Sequence, residues 1–433
     1  MTDGPLSGPP GLRPVWAEID LGAVRHNVAL LRRMVEPATV CVVVKADGYG
    51  HGAVHVAGAA LEGGAGWLAV ALVEEGIALR RAGIEAPVLV LSEPPADAMA
   101  DVVDAGLRPT VYTRAGVRAL AEAAAAAHRV AGAHVKVDTG MHRVGVDPAD
   151  AAEIVGAVVG ATHLHFEGLW THFAVADGTS DHDIAFTRTQ LRRLHEVRTA
   201  LAAAGLHPDM VHAANSAGAI AHPEARLDMV RCGIAAYGIL PAPDMEEAVR
   251  AALPGAGPAD GRDAGGGAPD GAGLRPALSL HARVSMVRSL DEGERVSYGL
   301  RYPLPEPSVV ATVPLGYADG VPRRFFETGG TVLVGGRPRP LAGTVTMDQI
   351  LVDCGPDAGV RAGDHVVLIG HQGAAERTAW DWAGELGTIA YEIVCGIGAR
   401  VPRVAVEHGA VPEHEAAGRG RLQGRAAEGE DRR

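Results

Sequence analysis

The chain has 433 residues, with 39 lysines and arginines against 52 aspartates and glutamates, for a net charge of −13. An acidic surface with no basic stripe among aromatics argues against nucleic acid or an anionic membrane as partner and leaves a small molecule as the expected one. Hydrophobic residues make up 47%, and the length exceeds one ordinary core, so a large α/β domain followed by a second unit is expected.

The opening residues Met1-Thr2-Asp3-Gly4-Pro5 have neither a basic start nor an apolar core. No signal peptide is expected, and no apolar run is long enough to span a bilayer. Residues 1–14 read as a flexible N-terminus. Cys41, Cys232, Cys354 and Cys395 are scattered without paired spacing, which suits reduced thiols and a cytoplasmic protein. His51 and His55 lie four apart, but no acidic or cysteine cluster completes a site, so no metal is expected.

From residue 39 onward, β-branched runs alternate with alanine-rich helical segments, the pattern of parallel βαβ units. The predicted strands are 39–45, 66–71, 87–92, 107–111, 133–138, 164–171, 209–213 and 228–232. Helices are expected over 72–82 and 181–204, stopped at Gly83 and Gly205. Eight such units predict a (β/α)8 TIM barrel over 15–243, whose first strand could contribute to the second domain. The most informative stretch is Cys41-Val42-Val43-Val44-Lys45, followed by Ala46-Asp47-Gly48-Tyr49-Gly50. A lysine at the mouth of a buried strand loses solvation, which favours the neutral, nucleophilic amine. In such barrels chemistry sits at the C-terminal strand ends. Those ends carry Lys45, the run from Asp138 to Arg143, Thr171-His172, Asn215-Ser216 and Arg231-Cys232-Gly233-Ile234.

Residues 241–273 collapse into Pro, Gly, Ala and Asp, which predicts a flexible connection over 244–274. After it, short alternating strands are expected over 278–288, 309–315, 331–334, 344–353 and 365–369, with one helix near 380–386, forming a mainly β domain over 275–406. The charged, glycine-rich stretch 407–433 is expected to be disordered.

A Schiff-base lysine, a glycine-lined phosphate pocket, a strand-end arginine and a nearby tyrosine are what a pyridoxal phosphate enzyme requires. The strings VVKADGYGHG, KVDTGMHRVG, THFA, HAANSAG, VRCGIAAYG, VSYG, GYADG, GTVTMDQ and YEIVCGIGARVPR resemble, in order, those of alanine racemases. Taken singly, Tyr298 and Tyr391 would pass for ordinary half-buried tyrosines and His172 for a core histidine. Their shared order changes that reading.

The resemblance implies a pyridoxal 5'-phosphate enzyme that interconverts L- and D-alanine for peptidoglycan, working as a homodimer with shared sites. It implies that Lys45 binds the cofactor covalently and serves as the base for the D-enantiomer. Tyr298, from the partner subunit, would be the base on the opposite face. The cofactor would be held by Tyr49, His172, Asn215, Ser216, Arg231, Gly233, Ile234 and Tyr391, with Arg231 at the ring nitrogen. Arg143 and, from the other subunit, the backbone amide of Met347 would take the substrate carboxylate, Tyr317 would line the entrance, and Lys136 occupies the position of a carbamylated lysine.

Three features depart from the family pattern. Thr346 stands where a cysteine commonly precedes the methionine, and His142 stands where glycine or asparagine is usual. The connection before residue 274 is longer than usual. Racemisation of serine or of a broader set of amino acids remains a rival, because one hydroxyl shifts specificity modestly in an apolar pocket. A non-catalytic cofactor carrier would lack the β domain and its VSYG string, and a decarboxylase of this fold would place a cysteine acid near the cofactor.

Overall fold

A computed structural model describes residues 12–252, 273–356 and 359–407. The first strand, β1 (Val15–Asp20), does not enter the barrel. It pairs antiparallel with Leu278–Arg283 and parallel with Arg403–Val406. Asp20 then caps the helix Leu21–Val35 by accepting from the Ala23 amide at 3.0 Å, satisfying a helix donor that would otherwise be orphaned.

Eight parallel strands follow and close on themselves: β2 (Thr39–Val43), β3 (Trp67–Val70), β4 (Val88–Val90), β5 (Arg108–Val111), β6 (Ala131–Lys136), β7 (Leu164–Trp170), β8 (Met210–His212) and β9 (Met229–Cys232). Every residue of β3, β4 and β9 is buried. That two-sided burial explains why these strands read as continuous apolar runs without alternation. Helices run over Val73–Arg81 and Asp181–Ala203, matching the glycine-stopped segments expected at 72–82 and 181–204. Ser180 starts the long one by accepting from the Asp183 amide at 3.1 Å.

The second domain is mainly β, as expected, but two of its strands differ from the sequence reading. The run 278–288 divides into Leu278–Arg283, in the sheet with β1, and Met286–Leu290, in a separate sheet with Ser308–Val313 and Ile350–Asp353. Alternation alone cannot register that a chain leaves one sheet for another. The run 344–353 keeps only Ile350–Asp353 as strand. Before it, Thr346 closes a tight loop: its amide donates to the Gln349 carbonyl at 3.0 Å, and its hydroxyl accepts from the Gln349 amide at 3.1 Å. The helix near 380–386 spans Ala379–Leu386, with a Thr378–Asp381 capping box and a left-handed stop at Gly387. A second short helix, Ala390–Cys395, is not evident in the pattern.

The flexible ends expected from composition are in part fixed. Arg13 donates two hydrogen bonds, of 2.8 and 2.7 Å, to the buried carboxylate of Asp319. Within 244–274, Glu246–Ala252 is helical with Val249 buried, and the Gly273 carbonyl accepts from His26 Nε2 at 2.9 Å. Glu407 pairs with Arg25 at 2.8 Å. The rest of the expected flexible segments, 1–11, 253–272 and 408–433, lies outside the described residues.

Candidate active site

Strand β2 ends at Val43, and Lys45 opens a single helical turn to Tyr49 that is left-handed: φ is 52° at Ala46, 51° at Asp47, 63° at Gly48 and 52° at Tyr49. Each non-glycine residue in that region costs about 1–2 kcal/mol, so the turn must be held from outside. Glu75 accepts from the Ala46 amide at 2.6 Å, and Asp47 accepts from the Ala53 amide at 2.8 Å. A β-carbon on Gly50 would collide with the Val394 carbonyl, so the second domain's Ala390–Cys395 helix presses on this turn. The effect is to fix the Lys45 amine at the barrel mouth. Desolvation, and next the charge of Arg143, push its pKa below the usual lysine value, as the sequence suggested.

Arg231, on β9, is buried and projects into the same mouth. It donates to Nδ1 of His212 at 2.7 Å, to the carbonyls of Thr171 at 2.8 Å and Ala213 at 2.9 Å, and approaches Nδ1 of His172 at 3.3 Å. Burial lowers its pKa to about 10, so the guanidinium stays charged at neutral pH. Lys136 Nζ lies 4.3 Å from the centre of the Trp170 ring and the Arg231 guanidinium carbon 4.5 Å from it. Burial foremost, then Arg231 and Arg143, bring the Lys136 pKa down to about 7. The same burial and the same cations hold His172 neutral, well below the usual histidine value.

Arg143 sits on a loop organised by Asp138, whose Oδ1 accepts from the amides of Gly140 and His142, both at 3.0 Å. His142 has φ 55°, a left-handed residue, which is the physical reason glycine or asparagine suits the position. The helix Asp181–Ala203 braces the loop. Arg193 donates to the Thr139 carbonyl at 2.8 Å, and Gln190 donates to the His172 carbonyl at 3.1 Å and accepts from Ala174 at 2.9 Å. Neither residue stood out in the sequence, nor did Glu75, Trp170 or His212, because each acts by contact across the fold.

After β8 and β9, Ser216 Oγ accepts from the Gly233 amide at 2.9 Å, and a β-carbon on Gly233 would collide with the Tyr49 hydroxyl. Tyr49 packs at a tilt against Tyr237 and Tyr391, with ring centres 5.0 and 6.2 Å away. Asn215 is committed as a helix cap, its side-chain oxygen accepting from Gly218 at 2.9 Å. Hydroxyls and backbone amides therefore converge on a glycine-lined cradle, and its donors fit a phosphate.

Tyr298, Met347 and Tyr317 gather elsewhere, on one face of the second domain. The Tyr317 amide donates to the Thr346 carbonyl at 3.0 Å, and the Thr344 hydroxyl donates to the Tyr298 carbonyl at 3.0 Å. A groove of about 430 Å³ lined by Ser297, Tyr298, Gly299, Thr346, Gln349 and Leu351 opens there. Tyr298 is 71% exposed and Met347 52%.

Residues 19–241 match the family model for the alanine racemase N-terminal domain, and 277–405 match that for its C-terminal domain. The chain belongs to the alanine racemase family. It is thereby a pyridoxal phosphate-dependent racemase. The alanine racemase of Symbiobacterium thermophilum is 45% identical over 393 residues, covering 91% of this chain and 97% of that one. The crystal structure of alanine racemase from D-cycloserine-producing Streptomyces lavendulae superposes with a TM-score of 0.81 at 39% identity, covering 92% of this chain and 98% of that one. The family's fold is shared more widely: histidine racemase from Leuconostoc mesenteroides gives a TM-score of 0.76 at 26% identity, with 92% and 99% covered. Among the described residues no helix is long and apolar enough to cross a membrane, and no cluster suits a metal ion.

Proposed function

We propose that this protein interconverts L- and D-alanine by two-base proton transfer on bound pyridoxal phosphate, supplying D-alanine for peptidoglycan in the cytoplasm. The observation that carries the reading is the Lys45 amine, held at the barrel mouth with a lowered pKa beside Arg143. The cofactor, when bound, draws electrons from the substrate α-carbon so that its proton can be removed.

Lys45 would hold the cofactor, with Tyr49, Ser216, Tyr391 and the amides of Gly233 and Ile234 at its phosphate. Asn215 shapes that cradle as the cap of the segment carrying Ser216. Arg231 would face the ring nitrogen, where a permanent positive charge opposes protonation and restrains electron withdrawal into the ring, while His172 packs beside it. Arg143 and the backbone amide of Met347 of the partner subunit would fix the substrate carboxylate. Lys45 Nζ takes or returns the α-proton on one face; the phenol of Tyr298 of the partner subunit does so on the other. Both are needed, because a single base returns the proton to the side it came from. Support for a shared site comes from exposure: Tyr298, Leu300, Met347 and Tyr317 are 71, 56, 52 and 42% exposed, an apolar face that a second copy would cover.

Lys136 is proposed to be carbamylated. With its pKa near 7 a substantial fraction of its amine is neutral and can take up carbon dioxide. The anion formed would offset the crowding of Lys45, Arg143 and Arg231, which as a free ammonium it aggravates.

Chiral analysis of the products from L-alanine, L-serine and L-histidine tests the reading. Fastest turnover of alanine to a racemic mixture is expected. Preference for serine or histidine would replace the substrate, and no turnover by cofactor-loaded protein would reduce the protein to a carrier.

A further inference from the structure

Behind Arg231 a line of polar side chains runs down the barrel interior. Because a guanidinium can only donate, the 2.7 Å contact from Arg231 makes Nδ1 of His212 an acceptor, so the neutral His212 ring carries its hydrogen on Nε2. That nitrogen lies 3.0 Å from Nδ1 of His134, which must then accept, leaving the hydrogen of His134 on Nε2. His134 Nε2 makes no hydrogen bond to the described residues; Glu167 Oε2 faces it at 3.4 Å, close enough for a charge contact. Glu167 is in turn held by Arg108 Nε, at 2.9 Å to Oε2 and 3.1 Å to Oε1.

The backbone is fitted to this line. A β-carbon on Gly168 would collide with the His134 ring, and one on Gly132 with the Glu167 carboxylate. The ladder between β6 and β7 shifts register between Ala133 and His134, as a bulge does where a side chain is re-aimed. His134 and His212 are fully buried, and two buried imidazoles with matched donor and acceptor ends rigidify a site only if each is in the correct tautomer.

We propose that His134 and Glu167 are positioning residues for Arg231: they fix His212 as an Nε2–H tautomer whose Nδ1 holds the guanidinium plane at the barrel mouth. The line has one direction. A hydrogen on Nδ1 of His134 would oppose that on Nε2 of His212, and relieving the clash by shifting the hydrogen to Nδ1 of His212 would oppose Arg231. Burial, which lowers the pKa of both imidazoles, supports the neutral arrangement. The functional half of this inference rests on Arg231 facing the ring nitrogen.

Nitrogen-15 NMR of histidine-labelled holoprotein near neutral pH tests it. His134 and His212 should both be neutral with the hydrogen on Nε2, and in the E167Q variant the His134 signals should move while distant histidines stay put. H134L should lower kcat about tenfold with KM nearly unchanged, and H134N, whose side-chain oxygen can still accept from His212, should recover most of it. A cationic His134, an Nδ1–H tautomer, or an H134L protein with normal kcat would overturn the proposal. If the tautomers are as stated but R231K changes neither kcat nor the cofactor's absorption spectrum, the reading of Arg231 fails instead and the relay stands as architecture.

Discussion

The imidazole Nδ1 of His142 lies 3.2 Å from Oδ2 of Asp138, while the His142 backbone occupies the left-handed region at φ 55°. The pair is solvent-facing at the histidine end and contributes little; the backbone strain is larger, at about 1 kcal/mol. His142→Gly should therefore match or exceed the parent in thermal stability, whereas His142→Val should lose about 1–2 kcal/mol. Melting of both variants checks the ordering, and a valine variant as stable as the glycine one would show that the loop is not strained.

Reduction with borohydride should fix the cofactor to the peptide containing Lys45. Label on any other lysine would refute the assignment of Lys45.

The cradle at Gly233 has no room for a side chain, since a β-carbon there would collide with the Tyr49 hydroxyl. Gly233→Ala should weaken pyridoxal phosphate binding by about tenfold, near 1.4 kcal/mol, measured by spectrophotometric titration of the apoprotein. Unchanged affinity would move the phosphate elsewhere.

Shared sites predict complementation. Lys45→Ala and Tyr298→Phe should each abolish most activity, yet mixed after dissociation they form heterodimers in which one site carries both lesions and the other none. Activity should return. A mixture as inactive as its parents, despite proven subunit exchange, would place the tyrosine in its own chain's site or out of the chemistry.

Acid stability turns on buried imidazoles. His51 is fully buried, its Nδ1 bonded to the Tyr49 carbonyl at 2.9 Å, and burial lowers its pKa to about 4 from 6.5. Between those values the unfolded chain binds the proton and the folded chain does not, so stability rises with pH across that window. The contribution is roughly 3 kcal/mol at most. His51→Gln, which can still donate to Tyr49, should flatten the dependence of denaturant midpoint on pH between about 6.5 and 4; an unchanged slope would assign the effect to other groups.

Much of this architecture was legible because parallel strands buried on both faces leave an unambiguous trace: all eight barrel strands fall where the apolar runs stand. The glycine stops located the ends of two helices equally well. What escaped was geometry that pairs distant segments. Nothing local in 15–20 reveals that β1 pairs with Leu278–Arg283, and nothing in 278–288 marks where the chain changes sheets. At the site, residues with chemistry at strand ends were visible, while the supports Glu75, Gln190 and Arg193 were not, since a glutamine on a helix carries no sign of the loop it holds. The left-handed turn after Lys45 lay hidden too: Gly48 and Gly50 permit a bend, but Ala46 and Asp47 give no warning of its hand.

The pairing of β1 with Arg403–Val406 has a consequence for how the molecule is made. During synthesis β1, the earliest strand among the described residues, emerges with one lateral partner more than 380 residues from being translated, the separation of Asp20 from Val406 in the register. The barrel, whose strands pair largely with their sequence neighbours, can close first. The nascent chain therefore carries this edge of Val15–Asp20 unpaired until Arg403–Val406 leaves the ribosome, and for most of that interval the barrel mouth also lacks the pressure of the Ala390–Cys395 helix on the turn that bears Lys45.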